Sequence, residues 1–505
     1  MTANTATRLH ELFDARAARA PEQPFLFTAE TTWTLADLGQ LVATLEQELH
    51  DCGVVPGDRV LVVAENCAEH VALVLACSRV GAWSCGVNAR MTRAEIGAYI
   101  DKADPRVVYF TTAVSEAAQA HARTASALPS IVSTLQRSPT HSEAVAEQGE
   151  QAERVASIIF TSGTTGQPKG VLVTHEGLLQ FARVSAESRA LTPQDRAYAY
   201  LPMTHIFGLG TVLMASLYGG SALIMRSKFD PADVFDALAQ GGVSMLQGPP
   251  AMFARLLSWR RQQGIDHPPH CPALRYVYAG AAPLDMGLKQ AVETCFNQPL
   301  HHGYGLSEYA GALCLVRTGV AREDTSAGYL VDGAELRIVD PEGRDLPTGE
   351  RGEIWMRGVG LMPGYFRDPT ATAQVMRPGG WYASGDLGYL DPDGALTVVG
   401  RLKEMIIRSG FNVYPGEVEM VLTAFPGIER VAVVGRREAD GNEEILAFIE
   451  PMPHQTIDLP ALQAYATEHL APYKRPSRIV QVDAFPMTLS DKVLKRQLIE
   501  GLSPA

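Results

Sequence analysis

The patterning of this chain predicts an α/β fold: a large N-terminal domain of layered α/β sheets with a β-rich subdomain, and a small mobile α+β C-terminal domain. Three observations carry that expectation. Short apolar runs alternate with helical apolar spacing over residues 9–109 and again over 155–278. Residues 328–399 are richer in turns and short strands, which reads as the β-rich subdomain. A length of 505 residues is more than one compact core organises, so two or more domains are expected.

Taken in order, residues 38–49 have helical spacing, and Gly57-Asp58-Arg59 turns the chain into a strand at 60–63. Residues 71–80 and 94–100 repeat the helical pattern. Residues 115–153 are rich in Ala and Gln, with little core-forming content after Leu135, and read as a helix followed by a mobile connection. Residues 155–160 form an apolar run, the end of a buried strand. Residues 333–339 and 352–358 have the pattern of short strands. The second domain is expected to begin after Gly400, giving domains at 1–400 and 401–505 with a hinge near 401–404. Within it, 418–422 reads as helix, 431–434 and 445–449 as strands, and 459–470 as a helix stopped by Pro472.

Composition narrows the class. The 43 basic and 56 acidic residues give a net charge of −13, which argues against the basic face of a nucleic-acid binder. The 7 cysteines are scattered and none forms C-x-x-C, which favours free thiols in a reducing compartment over a disulfide framework or zinc site. No early apolar stretch resembles a signal peptide, and the longest apolar region, residues 71–77, is far short of a transmembrane span. Cytoplasm is the expected location; peripheral membrane contact and oligomeric state stay open.

Residues 161–170, TSGTTGQPKG, are the most informative stretch. Thr161, Ser162, Thr164 and Thr165 supply hydroxyls, Gly163, Gly166 and Gly170 let backbone N–H groups approach an anion, and Lys169 adds a positive charge. Such a loop suits polyphosphate. It is not a Walker A motif, because Lys169 is followed by Gly170. A solvated linker would have neither the lysine nor the strand-like lead-in. Downstream come a small-residue turn, Ala279-Gly280-Ala281-Ala282-Pro283, and the segment HHGYGLSEYAG at 301–311. Asp386 follows in Tyr382-Ala383-Ser384-Gly385-Asp386, where one carboxylate can accept from two hydroxyls.

TSGTTGQPKG resembles the phosphate loop of the acyl-adenylating superfamily, which includes acyl-CoA synthetases, peptide-synthetase adenylation domains and luciferases. The resemblance recurs in order along nearly the whole chain. It implies an ATP-dependent acid–CoA ligase that forms acyl-AMP and then acyl-CoA, AMP and pyrophosphate, with ATP, Mg²⁺ and CoA beside a small-molecule carboxylic acid. Thr161, Ser162, Gly163, Thr164, Thr165 and Lys169 would hold phosphates, and Gly280, Ala281 and Ala282 would flank the adenine. Tyr304-Gly305-Leu306-Ser307-Glu308 is similar to the family's Y-G-x-T-E motif. That places Tyr304 and Gly305 at the adenine, the Ser307 hydroxyl at the α-phosphate and Glu308 on the metal. Ser307 stands where threonine is usual and keeps the hydroxyl. Asp386 would bind the ribose hydroxyls, Arg401 ribose and phosphate, and His205 would gate the acyl pocket near the departing pyrophosphate.

The family form P-x-x-x-x-G-K resembles residues 486–492 and implies Lys492 as the catalytic lysine, with Lys495 the nearby alternative. Asp491 stands where Gly is usual, and Asp is among the residues that tolerate φ > 0. The resemblance further implies rotation about Lys403 between two half-reactions, presenting Lys492 in one and a CoA tunnel at Ser409, Gly410 and Phe411 in the other. Arg408, Lys474 and Arg475 are candidates to meet CoA phosphates.

His205, Phe207, Gly208, Leu306 and Leu313 are the expected acyl-pocket residues, within the mostly apolar segments 205–218, 245–252 and 280–313. No arginine occurs in these segments, which favours a hydrophobic monocarboxylic acid over a dicarboxylate. Residues 407–415, IRSGFNVYP, resemble the form common in fatty-acyl-CoA synthetases and favour a fatty acid over an aryl one. No carrier segment follows Ala505, so free CoA is the expected acceptor; transfer of an aryl or fatty acyl group to a separate carrier protein is the alternative. A hydrolase built on Ser307 lacks the second glycine of a nucleophile elbow. A non-catalytic nucleotide-binding protein draws support only from Asp491.

Overall fold

A computed structural model describes residues 6–162, 168–408, 411–437, 442–453, 455–487 and 493–500. The chain is α/β and divides by packing into two units. The first comprises Met1–Leu284, Leu288–Glu335 and Met356–Tyr382, and the second Asp285–Gly287, Leu336–Trp355 and Ala383–Ala505. The β-rich stretch is thus shared between them.

Among the described residues the first unit holds two large sheets. One is seven-stranded, in the order Leu128–Pro129, Gln136–Arg137, Val107–Phe110, Arg59–Ala64, Trp83–Asn88, Val155–Ser162, Pro168–Thr174. Its central strand Arg59–Ala64 is buried throughout and runs parallel to both neighbours, which is why it reads as an unbroken apolar run. The helix Ala68–Val80 is buried along nearly its whole length and accordingly lacks a polar face.

Residues 115–153 differ from the mobile connection expected. The helix Glu116–Thr124 is followed by a short hairpin, Leu128–Pro129 with Gln136–Arg137, added to the sheet edge beside Val107–Phe110. The buried Glu48 carboxylate holds it, accepting from Ser130 Oγ at 2.6 Å, Ile131 N at 3.0 Å and Arg137 Nε at 3.1 Å. Further along, Arg106 donates to the carbonyls of His141, Ser142 and Ala144, and Arg59 to that of Val145. Polar anchors add to the buried Leu135, Ala118 and Ala122 in ordering this segment, and hydropathy does not register the polar ones.

The second sheet is nine-stranded, in the order Tyr329–Leu330, Gly311–Leu315, Leu300–Leu306, Tyr276–Ala279, Met245–Gly248, Arg196–Ala199, Ala222–Met225, Pro24–Phe27, Thr32–Thr34. Its strands run parallel from Leu300–Leu306 to Pro24–Phe27. A wide-turn π-helix, Phe207–Met214, is buried at every residue. Such turns are rare and cluster at functional sites.

In the second unit Ile428–Arg437 pairs antiparallel with Glu443–Pro451, and Arg478–Gln481 adds parallel to it. The helices Pro415–Thr423 and Leu459–His469 bring Val418, Leu422, Leu462 and Ala466 into one core, and Lys495–Glu500 brings Leu498 into another. No helix among the described residues is long and apolar enough to cross a membrane.

Candidate active site

The described ends of the stretch 161–170 lie on two antiparallel strands. Val155–Ser162 pairs with Pro168–Thr174, with Thr161 opposite Lys169 and Ser162 opposite Pro168. Gly163, Thr164 and Thr165 lie outside the described residues. The strand-like lead-in is present, and the lysine returns on the second strand.

Tyr365 connects this hairpin to the Y-G-x-S-E segment. Lys169 Nζ lies 4.9 Å from the centre of its ring, and its hydroxyl donates to Glu308 Oε1 at 3.0 Å. The Tyr382 hydroxyl stands 3.4 Å from that of Tyr365. Burial, and then the Glu308 charge, push both phenols above the ordinary tyrosine range, so they stay neutral donors. Backbone pairing fixes the arrangement: Phe366 N donates to Gly170 O at 2.7 Å, Leu172 N to Gly364 O at 3.2 Å, and Met362 N to Glu308 O at 2.8 Å. Sequence reasoning missed Tyr365; its only signal was a tyrosine after Gly364 between two short strands.

Ser307 is buried and begins the single helical turn Ser307–Tyr309 that carries Glu308. Ala310 closes this turn at φ 52°, and Ala281, in the small-residue turn, has φ 65°. Left-handed backbone costs a non-glycine residue about 1–2 kcal/mol, and such strain gathers at functional loops. Tyr304 is half-buried on Leu300–Leu306, opposite Cys314, and the exposed Gly305 faces Ala312 across the pair. Gly280 N donates to Gly248 O at 3.1 Å, which sets the small-residue turn against Met245–Gly248.

His205 precedes the wide-turn helix. Its backbone N–H donates to Pro202 O at 3.0 Å and its Nδ1 accepts from Phe207 N at 3.2 Å. Phe207 meets Tyr278 edge-on at 6.0 Å. A Cβ on Gly208 would stand 2.2 Å from Pro202 O, so only glycine fits there. Leu306 is half-buried and Leu313 fully buried on the paired strands Leu300–Leu306 and Gly311–Leu315.

In the second unit Asp386 lies opposite Arg401, with Oδ1 3.4 Å from Arg401 Nε. Ser384 Oγ accepts from Asp386 N at 3.0 Å, and Gly385, at φ 71°, makes the turn before it. Lys403 sits in the turn Leu402–Glu404. Lys495 Nζ lies 3.0 Å from Glu404 and 2.8 Å from Glu419. Burial opposes its charge, but the two carboxylates raise its pKa. Lys495 is thus paired with two carboxylates of its own unit. Lys492, Ser409 and Gly410 lie outside the described residues. Phe411 is exposed and stacks on Tyr473 at 4.6 Å. The side chains expected to meet CoA phosphates engage protein groups here: Arg408 donates to Arg475 O, Arg475 to Leu470 O and Thr467 O, and Lys474 pairs with Glu417.

The donor set fits Mg²⁺. Among the described residues no group of three or more His, Cys, Asp or Glu side chains converges as an all-protein cage. A lone half-buried carboxylate such as Glu308, oriented by Tyr365, matches an ion held by one carboxylate, substrate phosphates and water.

Residues 13–366 match the AMP-binding enzyme family, and residues 417–492 match the AMP-binding enzyme C-terminal domain. The chain is 33% identical over 498 residues to a feruloyl-CoA synthase of Amycolatopsis sp, covering 96% of each chain. It is 31% identical to 4-coumarate–CoA ligase 2 of Oryza sativa subsp. japonica, covering 97% of this chain and 91% of that one. Among solved structures, the o-succinylbenzoate CoA synthetase of Bacillus subtilis in complex with its acyl-adenylate intermediate superimposes with a TM-score of 0.82 at 28% identity, covering 96% of this chain and 97% of that one. Two family matches in sequence order, relatives above 30% identity over nearly full length, and a shared fold agree: this chain belongs to the AMP-binding enzyme family of acyl-adenylating proteins.

Proposed function

We propose that the chain is an AMP-forming acid–CoA ligase acting on an aryl monocarboxylic acid. The adenylating and CoA-ligase chemistry follows from the family and from relatives matched over almost their entire length. The aryl preference replaces the fatty acid favoured by residues 407–415, because the relatives named above act on ring-bearing acids. All seven cysteines are free, which supports a reducing compartment such as the cytoplasm.

The observation that carries the reading is the joining of Lys169 and Glu308 through one residue, Tyr365. A carboxylate oxygen of the acid attacks the α-phosphorus of ATP, forming the acyl–phosphate bond, and the bond to pyrophosphate breaks with its electron pair leaving on pyrophosphate. Negative charge grows on the phosphates, and Lys169 with the hydroxyls of residues 161–165 is the proposed set of groups that would meet it. Mg²⁺ held at Glu308 would neutralise further phosphate charge. The CoA sulfur, having lost its proton, then attacks the acyl carbon and AMP departs. Asp386 and Arg401 are the proposed ribose contacts, Tyr304 and residues 280–282 the adenine contacts, and Ser307 the α-phosphate contact. Lys492 is the proposed adenylation lysine, Lys403 the hinge, and Ser409, Gly410 and Phe411 the thiol path.

ATP–pyrophosphate exchange across a panel of aryl and saturated fatty acids tests the reading, followed by thioester formation with CoA or a carrier protein. Exchange with aryl acids, release of AMP and acyl-CoA formation are expected. Release of ADP, or exchange with fatty acids alone, contradicts it.

A further inference from the structure

One row of side chains in the first unit deepens the reading of the acid, and rests on that reading. Gln247, Tyr278 and His301 are register partners on three adjacent parallel strands, so they share one face of the nine-stranded sheet. That face lies under the wide-turn helix. The Phe207 ring meets Tyr278, and Arg189, which donates to Thr211 O at 2.8 Å, lays its guanidinium over Tyr276 and Tyr278. Gln247 and Tyr278 stand next to last on their strands, and Tyr278 one residue short of the small-residue turn, near the C-terminal strand ends where α/β sheets receive ligands. A Cβ on Gly303 would stand 2.3 Å from the Tyr278 hydroxyl, and one on Gly280 2.9 Å from its ring. Tyr278 therefore occupies the space these two glycines leave.

The row is buried and short of donors. Gln247 is 2% exposed, and its Oε1 has no hydrogen-bond partner among the described residues. His301 Nδ1 lies 3.1 Å from the carbonyl of Val277, an acceptor, so Nδ1 carries the proton and Nε2 is a bare acceptor. Nε2 is also buried, with no partner among the described residues. Buried polar groups are almost always satisfied, and the unpartnered acceptors on this row suit a donor from outside the protein. The His301 ring is pinned by its bond to Val277 and by stacking on Tyr276 at 4.4 Å, whereas no such bond holds the Gln247 Oε1.

We infer that Gln247 is a specificity-determining residue of the acid site, its Oε1 accepting a hydrogen bond from a hydroxyl on the acid's aromatic ring. The substrate class is then a hydroxyaryl acid whose ring lies against Phe207 and Tyr278. A ring without the hydroxyl leaves the acceptor buried and unpaired, which discriminates more sharply than a missing methylene does.

The test is ATP–pyrophosphate exchange by the full chain with 4-hydroxycinnamate and with cinnamate. The wild type is expected to favour the hydroxylated acid by about tenfold or more in kcat/KM. Gln247→Leu should bring that ratio to one or invert it, and Gln247→Met, closer in shape, should do the same if the leucine variant fails to fold. Equal kcat/KM for the two acids in the wild type overturns the inference while leaving the aryl reading intact. So does a proportional loss on both acids in the two variants, the result expected of a buried water or a purely structural glutamine. Exchange with saturated fatty acids and with neither ring acid overturns both.

Discussion

Tyr365 shows how one side chain joins two motifs that lie far apart in sequence. Its hydroxyl orients the Glu308 carboxylate while its ring faces the Lys169 ammonium. Tyr365→Phe removes the first contact and keeps the second. A hydrogen bond to a charged group is worth about 1.5–3 kcal/mol, so the variant should lose about ten- to a hundredfold in exchange kcat/KM for ATP. Because the carboxylate it orients is the proposed metal ligand, half-saturation by Mg²⁺ should also move to higher concentration. A Mg²⁺ profile identical to that of the wild type would contradict the positioning role. Titrating exchange activity with Mg²⁺ in both proteins decides between these outcomes.

Among elements, the helix Phe207–Met214 owes its two glycines to packing: a Cβ on Gly208 would meet Pro202 O at 2.2 Å, and one on Gly210 would meet the Phe181 ring at 2.6 Å. The Gly208 contact is with backbone and cannot be relieved by a rotamer change. Overpacking a core costs typically about 1–3 kcal/mol. Gly208→Ala should therefore lower Tm by several degrees and reduce exchange activity, read by thermal unfolding and the exchange assay. An equally stable and active alanine variant would refute this account of the helix. The 128–137 hairpin makes the complementary point, since a buried Glu48 rather than an apolar stripe adds it to the sheet.

For the whole molecule, two buried histidines in the first unit set an acid limit. Burial pushes His175 down to about 3 and His70 down to about 4. Both are neutral when folded, while the unfolded chain protonates histidine near pH 6.5. Between that pH and the folded values the unfolded state binds more protons, so stability falls as pH falls. The loss begins as pH drops through about 6.5 and levels off below the folded pKa values. Denaturant unfolding from pH 7 to pH 4 should show this decline, and His175→Gln should make it shallower. A stability flat across that range in the wild type would be inconsistent with neutral buried rings.

Local pattern alone sufficed for the α/β class, for strands such as Arg59–Ala64 and Val155–Ser162, and for helices such as Ala68–Val80, because burial writes its periodicity into adjacent residues. The proposed phosphate-binding role of 161–170 rests on a similarly local signal: glycines, hydroxyls and a lysine crowd into ten residues. Tertiary structure alone decided that Tyr365 meets Glu308, that Glu48 holds the 128–137 hairpin, and that Gln247, Tyr278 and His301 form a single row. Those relations are made by residues tens of positions apart, through backbone register and buried hydrogen bonds. Neither composition nor periodicity carries a trace of such contacts until the sheets have formed.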